Sequence, residues 1–536
     1  MRDLRVRAGL AAVALLALAG VSAGCTPGGP HGGSAGSAAR SAARPSASSA
    51  HSGPLTLVPA VPPARGKPPT TLAGFYAQRL TWAPCYNNFR CARLYVPFDY
   101  ARPDGPAFSL PVIELPAAKP AQRIGPLVIN PGGPGESGVQ RTIEARTGWF
   151  AQAIRDQFDI VGFDPRGVGS SEPALRCDEK GQAGGTFFAM PATSAQLAAD
   201  ESFTKKHVQA CTRSAGALLP YMGTQWAARD MDVLRAALGQ SRLTYFGWSY
   251  GTVLGASYVQ QFPQRVRAFV LDGALAPRRS GLDLAIAQTQ GYSYTFGQFV
   301  RWCLGQRDCP LHGSVAQATQ QVLRLIARAS AHPLASSSPS GQQADGDTVR
   351  YAVTASMQLE SWWPDLTEAL SRALNAGDGS VLVTLAYGNP GGGDSNSGDV
   401  ANAVQCIDNP WPRSIGAYQA AATRAAKASP LFRSEFVWDW LSCAYWPVPA
   451  RQVLSGTTSG AAGGGVPPVL VLGELHDPQT PYAGAVALAR WLHTGVLLSW
   501  NGVGHTSYLE GSSCIDNAVD AYLISLRTPP NGTACP

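Results

Sequence analysis

Short, unbroken apolar runs bounded by Gly or Pro recur through the first half of the chain, as in "PLVIN" at residues 126–130 and "DIVGF" at residues 159–163. Runs without polar alternation predict strands buried on both faces. "ARLYVPFDY", "FSLPVIELP", "LTYFGWSYG" and "VRAFVLDGAL" complete a series of six strands. Between them the period changes: residues 225–239, "QWAARDMDVLRAALG", are apolar at helical spacing, with Gly239 as the stop. Strands alternating with helices predict an α/β fold with a mostly parallel sheet. After Leu275 the pattern turns helical, with Gly/Ser-rich breaks at "ASSSPSGQQADGD" and "GNPGGGDSNSGD". Strand signals return at "PPVLVLGELHD" and "GVLLSWNGVGH", and "IDNAVDAYLISL" reads as a last helix. The expected topology is an α/β core at residues 67–277 and 459–536. A helical cap, residues 278–458, separates the sixth and seventh strands and covers the sheet's carboxyl ends, where open α/β sheets bind ligands.

The N-terminal residues belong to no such pattern. Residues 1–25 join a basic start to the apolar "AGLAAVALLALAGVSAG", an export signal. Cleavage after Ala23 would free a secreted protein, whereas cleavage before Cys25 would leave that cysteine to carry lipid at the cell surface. Residues 26–66, rich in Gly, Ser, Ala and Pro, read as a flexible linker. Of 11 cysteines, Cys25 is the odd one. In an oxidising compartment the rest form disulfides, and their spacing suggests the sequential pairs Cys85–Cys91, Cys177–Cys211, Cys303–Cys309, Cys406–Cys443 and Cys514–Cys535, although sequence does not derive connectivity. No Cys-x-x-Cys or His-x-x-x-His cluster points to a metal. The 536 residues are 45% hydrophobic and 14% charged, enough apolar material for a large core. The net charge of +7 is spread along the chain, which disfavours a nucleic-acid partner.

Candidate chemistry sits at the strand ends. Gly247-Trp248-Ser249-Tyr250-Gly251 joins a strand to a helix, the context of a nucleophile elbow. A serine nucleophile needs a base and an orienting acid. His505 follows a strand in "NGVGHTSY", and Asp477 follows the preceding strand in "LGELHDPQTP". The order Ser249, Asp477, His505 is that of an α/β-hydrolase. Asp272, at the end of "FVLD", competes for the acid's role, and Asp164 reads as a structural turn residue with Arg166. "INPGGPGESG" supplies backbone amides for a developing oxyanion, from Gly132 or Gly133, with Tyr250 as the other donor.

Together "NPGGPGESG", "FDPRGVGSS", "GWSYGT", "DPQTPY" and "GVGHTSY" resemble the tripeptidyl aminopeptidase group of exported actinobacterial α/β-hydrolases, related to proline iminopeptidases. "CIDN" at Cys406 and "CAYWP" at Cys443 extend the likeness into the cap. The resemblance implies an exported serine peptidase that takes short peptides from free N-termini without a cofactor. Such a substrate needs a carboxylate for its ammonium group, and the candidates are Asp408, Glu360 and Glu136. Seven of the 13 tryptophans lie in the cap, so a carboxylesterase acting on short or lipid esters is the rival reading. A non-catalytic binding lipoprotein is a second rival.

Overall fold

The computed structural model describes residues 61–536 except 64–65, 178–189, 192, 278–279, 339–340, 388–395 and 457–464. The expected export signal, Cys25 and most of the linker lie outside the described residues. Ten strands form one sheet: β1 (Ala83–Cys85), β2 (Phe89–Pro97), β3 (Ala107–Leu115), β4 (Gly125–Asn130), β5 (Phe158–Phe163), β6 (Leu243–Trp248), β7 (Val266–Asp272), β8 (Val469–His476), β9 (Gly495–Val503) and β10 (Thr533–Cys535). Their order is β1-β2-β3-β5-β4-β6-β7-β8-β9-β10. Pairing is antiparallel from β1 to the β3–β5 contact and parallel from there on. This is the α/β-hydrolase fold.

Every residue of β4, β5 and β6 is buried. Alternate side chains divide between two cores: Val128, Val161, Tyr245 and Phe269 enter one, while Leu127, Ile160, Phe246 and Val270 enter the other. Both faces are covered, so an unbroken apolar run is what these strands require. The chain places β5 on one side of β4 and β6 on the other, which opens a crevice at their carboxyl ends.

Two strands had no counterpart in the hydrophobic pattern. β1 and β10 have three residues each, too few to carry a period, and each is an edge strand held by a disulfide: Cys85 to Cys91, and Cys535 to Cys514. The other disulfides join Cys177 to Cys211, Cys303 to Cys309 and Cys406 to Cys443.

The segment between β7 and β8 is helical and has its own apolar cluster around Phe299, Leu325, Val353 and Leu370. Packing divides it from the sheet less sharply than sequence position does. Val400, Ala403, Val404 and Ile407, on the helix Ser397–Asp408, belong to the main core beside the sheet, as do Trp446 and Leu454.

Candidate active site

Ser249 stands between β6 and the helix Tyr250–Gln261 with φ +53° and ψ −121°, a conformation rarely adopted by L-residues. Its neighbours make the turn possible. A Cβ on Gly247 would lie 2.5 Å from the Gly251 carbonyl oxygen, and one on Gly251 would lie 2.8 Å from that of Asn130. The Ser249 N–H donates to the Asp272 carbonyl at 2.8 Å, fixing the turn to the end of β7.

The turn after β4 lies against the elbow. Gly132 and Gly133 have φ of +105° and +96°, and a Cβ on Gly132 would come within 2.7 Å of the Trp248 carbonyl oxygen and 2.9 Å of Ser249 Cβ. The Gly132 N–H already donates to Asn130 Oδ1 at 3.0 Å. Gly133, by contrast, lines a cavity together with Ser249. Tyr250 opens its helix, so its N–H projects from the helix N-terminus.

Asp477 follows β8. Its Oδ1 accepts the N–H groups of Gln479 and Thr480, each at 2.8 Å, and its Oδ2 accepts the Thr480 hydroxyl at 2.6 Å. His505 Nδ1 lies 2.9 Å from the same Oδ2. Both Asp477 oxygens act as acceptors here, so the imidazole proton sits on Nδ1 and Nε2 is left as the base. Burial lowers the proton affinity of His505, but the Asp477 charge and hydrogen bond outweigh it and hold the imidazole above its ordinary value. The His505 backbone N–H donates to the Gln358 carbonyl at 2.6 Å, tying this loop to the helical insertion. The ring lies against the end of β7, where a Cβ on Gly273 would stand 3.0 Å from His505 Cε1. Ser249, Gly273, Asp477 and His505 thus occupy the carboxyl ends of four adjacent parallel strands, β6 to β9.

The competing acids have other partners. Asp272 accepts the N–H groups of Ser507 and Tyr508 at 3.0 and 3.1 Å, shaping the loop that carries His505, and burial pushes its carboxyl up to about 6. Asp164 accepts Ser137 Oγ and the N–H groups of Val139 and Ser170. Arg166 pairs with Asp230 rather than Asp164, through two bonds of 2.6 and 2.7 Å.

Of the three acids considered for an ammonium group, none lines the cavity at Ser249. Asp408 is buried and accepts the Thr224 N–H at 3.1 Å and its hydroxyl, so it caps the helix Thr224–Ala237, while its neighbours Gln405 and Asn409 face the cavity. Glu360 is exposed at the start of the short turn Glu360–Trp362, and Glu136 is exposed beyond the glycine turn. Residue typing alone did not separate a helix-capping aspartate from a ligand-facing one.

Sequence reading also missed Thr480 and Glu474. Thr480 has a signal in the spacing Asp-Pro-x-Thr-Pro, which returns its hydroxyl to the aspartate. Glu474, near the end of β8, is buried with neither carboxyl oxygen hydrogen-bonded, and burial together with the charges of Asp477 and Asp272 raises its carboxyl well above the ordinary value.

The cavity has a volume of about 50 Å³. Gly133, Ser249 and Thr480 form its floor, and Leu284, Gln288, Gln405, Asn409, Trp411 and Trp440 come from the insertion above. A strained serine, an imidazole oriented by a carboxylate and a glycine turn beside them can perform acyl transfer.

The alpha/beta hydrolase fold family matches residues 125–512. Serine protease Hip1 of Mycobacterium tuberculosis is 36% identical over 488 residues, covering 85% of this chain and 91% of that protein. Carboxylesterase B of the same organism is 36% identical over 457 residues, covering 83% and 86%. Tripeptidyl aminopeptidase of Streptomyces lividans is 31% identical over 479 residues, covering 85% and 86%.

Proposed function

The chain belongs to the α/β-hydrolase family, in its tripeptidyl-aminopeptidase-like group of serine hydrolases, and from this we propose that it is an exported aminopeptidase releasing tripeptides from free peptide N-termini. The observation that carries the reading is the roofed cavity at Ser249. A polypeptide cut internally must run past the serine in both directions, whereas a cavity partly covered by the insertion favours a chain end. In the proposed reaction His505 Nε2 removes the Ser249 proton and the alkoxide attacks the amide carbonyl. The Gly133 and Tyr250 N–H groups hold the oxyanion, with Gly132 turned to Asn130 instead. His505 then protonates the leaving amine, and water, deprotonated by the same imidazole, releases the acyl group.

The substrate ammonium requires a buried countercharge. We assign it to Asp439, which does not itself line the cavity but directly precedes the cavity-lining Trp440 in the chain, and whose carboxyl burial pushes up to about 7. Its charge also reaches Tyr292, whose hydroxyl donates at 2.6 Å to Gln479, another cavity residue. An ammonium group arriving there would restore the ionised carboxylate.

Export through residues 1–25 and lipid attachment at Cys25 belong to the same proposal, supported by five disulfides that suit an oxidising compartment. Detergent partition of the mature protein, abolished in Cys25→Ala, checks the anchor.

The esterase reading rests on Leu275, Leu284, Trp411 and Trp440, an apolar lining that also suits an acyl chain. Chromogenic tripeptides with free and acetylated N-termini, assayed beside short-chain esters, separate the two. The aminopeptidase should cleave only the free amine, and Asp439→Asn should weaken that cleavage at least tenfold while sparing esters. Full activity on acetylated peptides would overturn the proposal.

A further inference from the structure

Cys177, His207, Cys211 and Asp399 converge so that one potential donor atom from each lies within 4.8 Å of all the others. His207 and Cys211 are four residues apart on the helix Ser194–Ala215, which puts both on one face. Cys177 comes from the segment after β5, and Asp399 from the first turn of the helix Ser397–Asp408 in the insertion. Cys211 Sγ lies 3.7 Å from His207 Nε2, which lies 3.6 Å from Asp399 Oδ1. The Cys177 N–H donates to Asp399 Oδ2 at 2.8 Å and orients the carboxylate. Zn–S bonds of about 2.3 Å and Zn–N or Zn–O bonds of about 2.0 Å imply donor separations of roughly 3.3–3.8 Å around a tetrahedral ion. Both measured edges fall in that range. The two sulfurs are too close, because they form a disulfide, and the remaining edges lie within 4.8 Å.

We propose that reduction of Cys177–Cys211 creates a tetrahedral site for a zinc-class divalent ion, with both thiolates, His207 Nε2 and Asp399 Oδ1 as ligands. A dithiol reductant supplies two electrons and two protons. The S–S bond breaks, two thiols form, and the reductant leaves as its own disulfide. On binding the ion each thiol releases its proton to solvent. Two sulfurs, one nitrogen and one oxygen favour zinc over magnesium or calcium. His207 is the partly exposed member and gives the ion its entry.

The exchange has a structural consequence. The disulfide joins Cys177 to the helix Ser194–Ala215 alone, whereas an ion would also grip the helix Ser397–Asp408. That helix brings Gln405 to the cavity, and its Ser397 carbonyl packs so closely on the turn after β4 that a Cβ on Gly135 would lie 2.4 Å from it. The dithiol state would thereby add a metal link to a helix that Asn396, donating at 2.7 Å to the Gly167 and Leu175 carbonyls, already ties to the core.

The test uses the full mature chain, treated with a dithiol until mass mapping shows Cys177–Cys211 open, then titrated with Co²⁺ as a coloured substitute for zinc. We expect one cobalt per chain, thiolate-to-cobalt charge-transfer absorption and displacement by Zn²⁺, with no such absorption before reduction. His207→Ala should weaken binding at least tenfold, as should Asp399→Asn, which keeps an acceptor for the Cys177 N–H. The double variant Cys177→Ser/Cys211→Ser should give no charge-transfer band. Absence of the band in the reduced wild type, equal uptake by the double serine variant, or loss of the fold on opening this disulfide would each overturn the proposal.

Discussion

His505 is pulled in opposite directions, and the balance is measurable. Burial disfavours its charged form, but Asp477, 2.9 Å away, wins and raises its pKa above the ordinary 6.5. The base must be neutral to accept the Ser249 proton, so kcat/KM should rise with pH through a midpoint above 6.5. Asp477→Asn should move that limb down, because it removes the charge that raises it; a wild-type limb at or below the ordinary value would show that burial dominates. The same substitution should lower kcat by about ten-thousandfold, the typical loss for an orienting acid in such a triad. Asp272→Asn should cost less than about tenfold in kcat and register mainly as a lower Tm, since Asp272 touches the backbone of Ser507 and Tyr508 rather than the imidazole. Kinetics of the two variants side by side rank the acids, and the reverse order would transfer the role to Asp272. Ser249, Asp477 and His505 could be proposed from the sequence because strand-end position and chain order restrict each choice, and the structure brings His505 to Asp477. The ammonium partner could not: Asp408 stands in an aromatic setting like a ligand, yet its oxygens are held by Thr224 184 positions earlier, a pairing no local pattern records.

That pairing makes Asp408 a joint between elements. The helix Thr224–Ala237 begins after Gly223, which has no side chain to cap it, and the missing acceptor arrives from the end of the helix Ser397–Asp408. Asp408→Ala should therefore destabilise the fold by about 1–3 kcal/mol, the cost of a lost cap and an unsatisfied buried N–H. It should weaken peptide and ester hydrolysis alike, because the helix end is loosened for both. Denaturant unfolding and the two assays read this together, and a loss confined to free-amine substrates would return Asp408 to the ammonium role. Elements were legible in proportion to their length. The runs that became β4 and β5 stand out because both faces of the sheet are covered, and residues 225–239 stand out by their helical period. β1 and β10 were invisible, since three residues define no period and their places depend on Cys85–Cys91 and Cys514–Cys535.

An insertion of this size between β7 and β8 invites the view that the cap is a separate folding unit, and packing argues otherwise. A separate unit would keep its own core and meet the sheet across a polar surface. Here Val400, Ala403, Val404, Ile407, Trp446 and Leu454 are part of the same cluster as Val128, Tyr245 and Phe269. In the other direction Leu197, from the helix Ser194–Ala215, packs on the cluster of the insertion, and Trp411 and Tyr445 touch both clusters. Removing the insertion would strip apolar cover from the main core, at about 25 cal/mol for each Å² exposed. Opening the sheet would uncover the insertion in turn. Neither part should persist when the other melts, so heating the oxidised protein in a calorimeter should give one heat-absorption peak, with the calorimetric enthalpy equal to the van't Hoff enthalpy. Two resolved peaks, or a van't Hoff enthalpy well below the calorimetric one, would mean that the shared cluster is too weak to couple them. The roof over Ser249 would then open without the sheet, and the proposed binding of a substrate by its end would lose its structural basis.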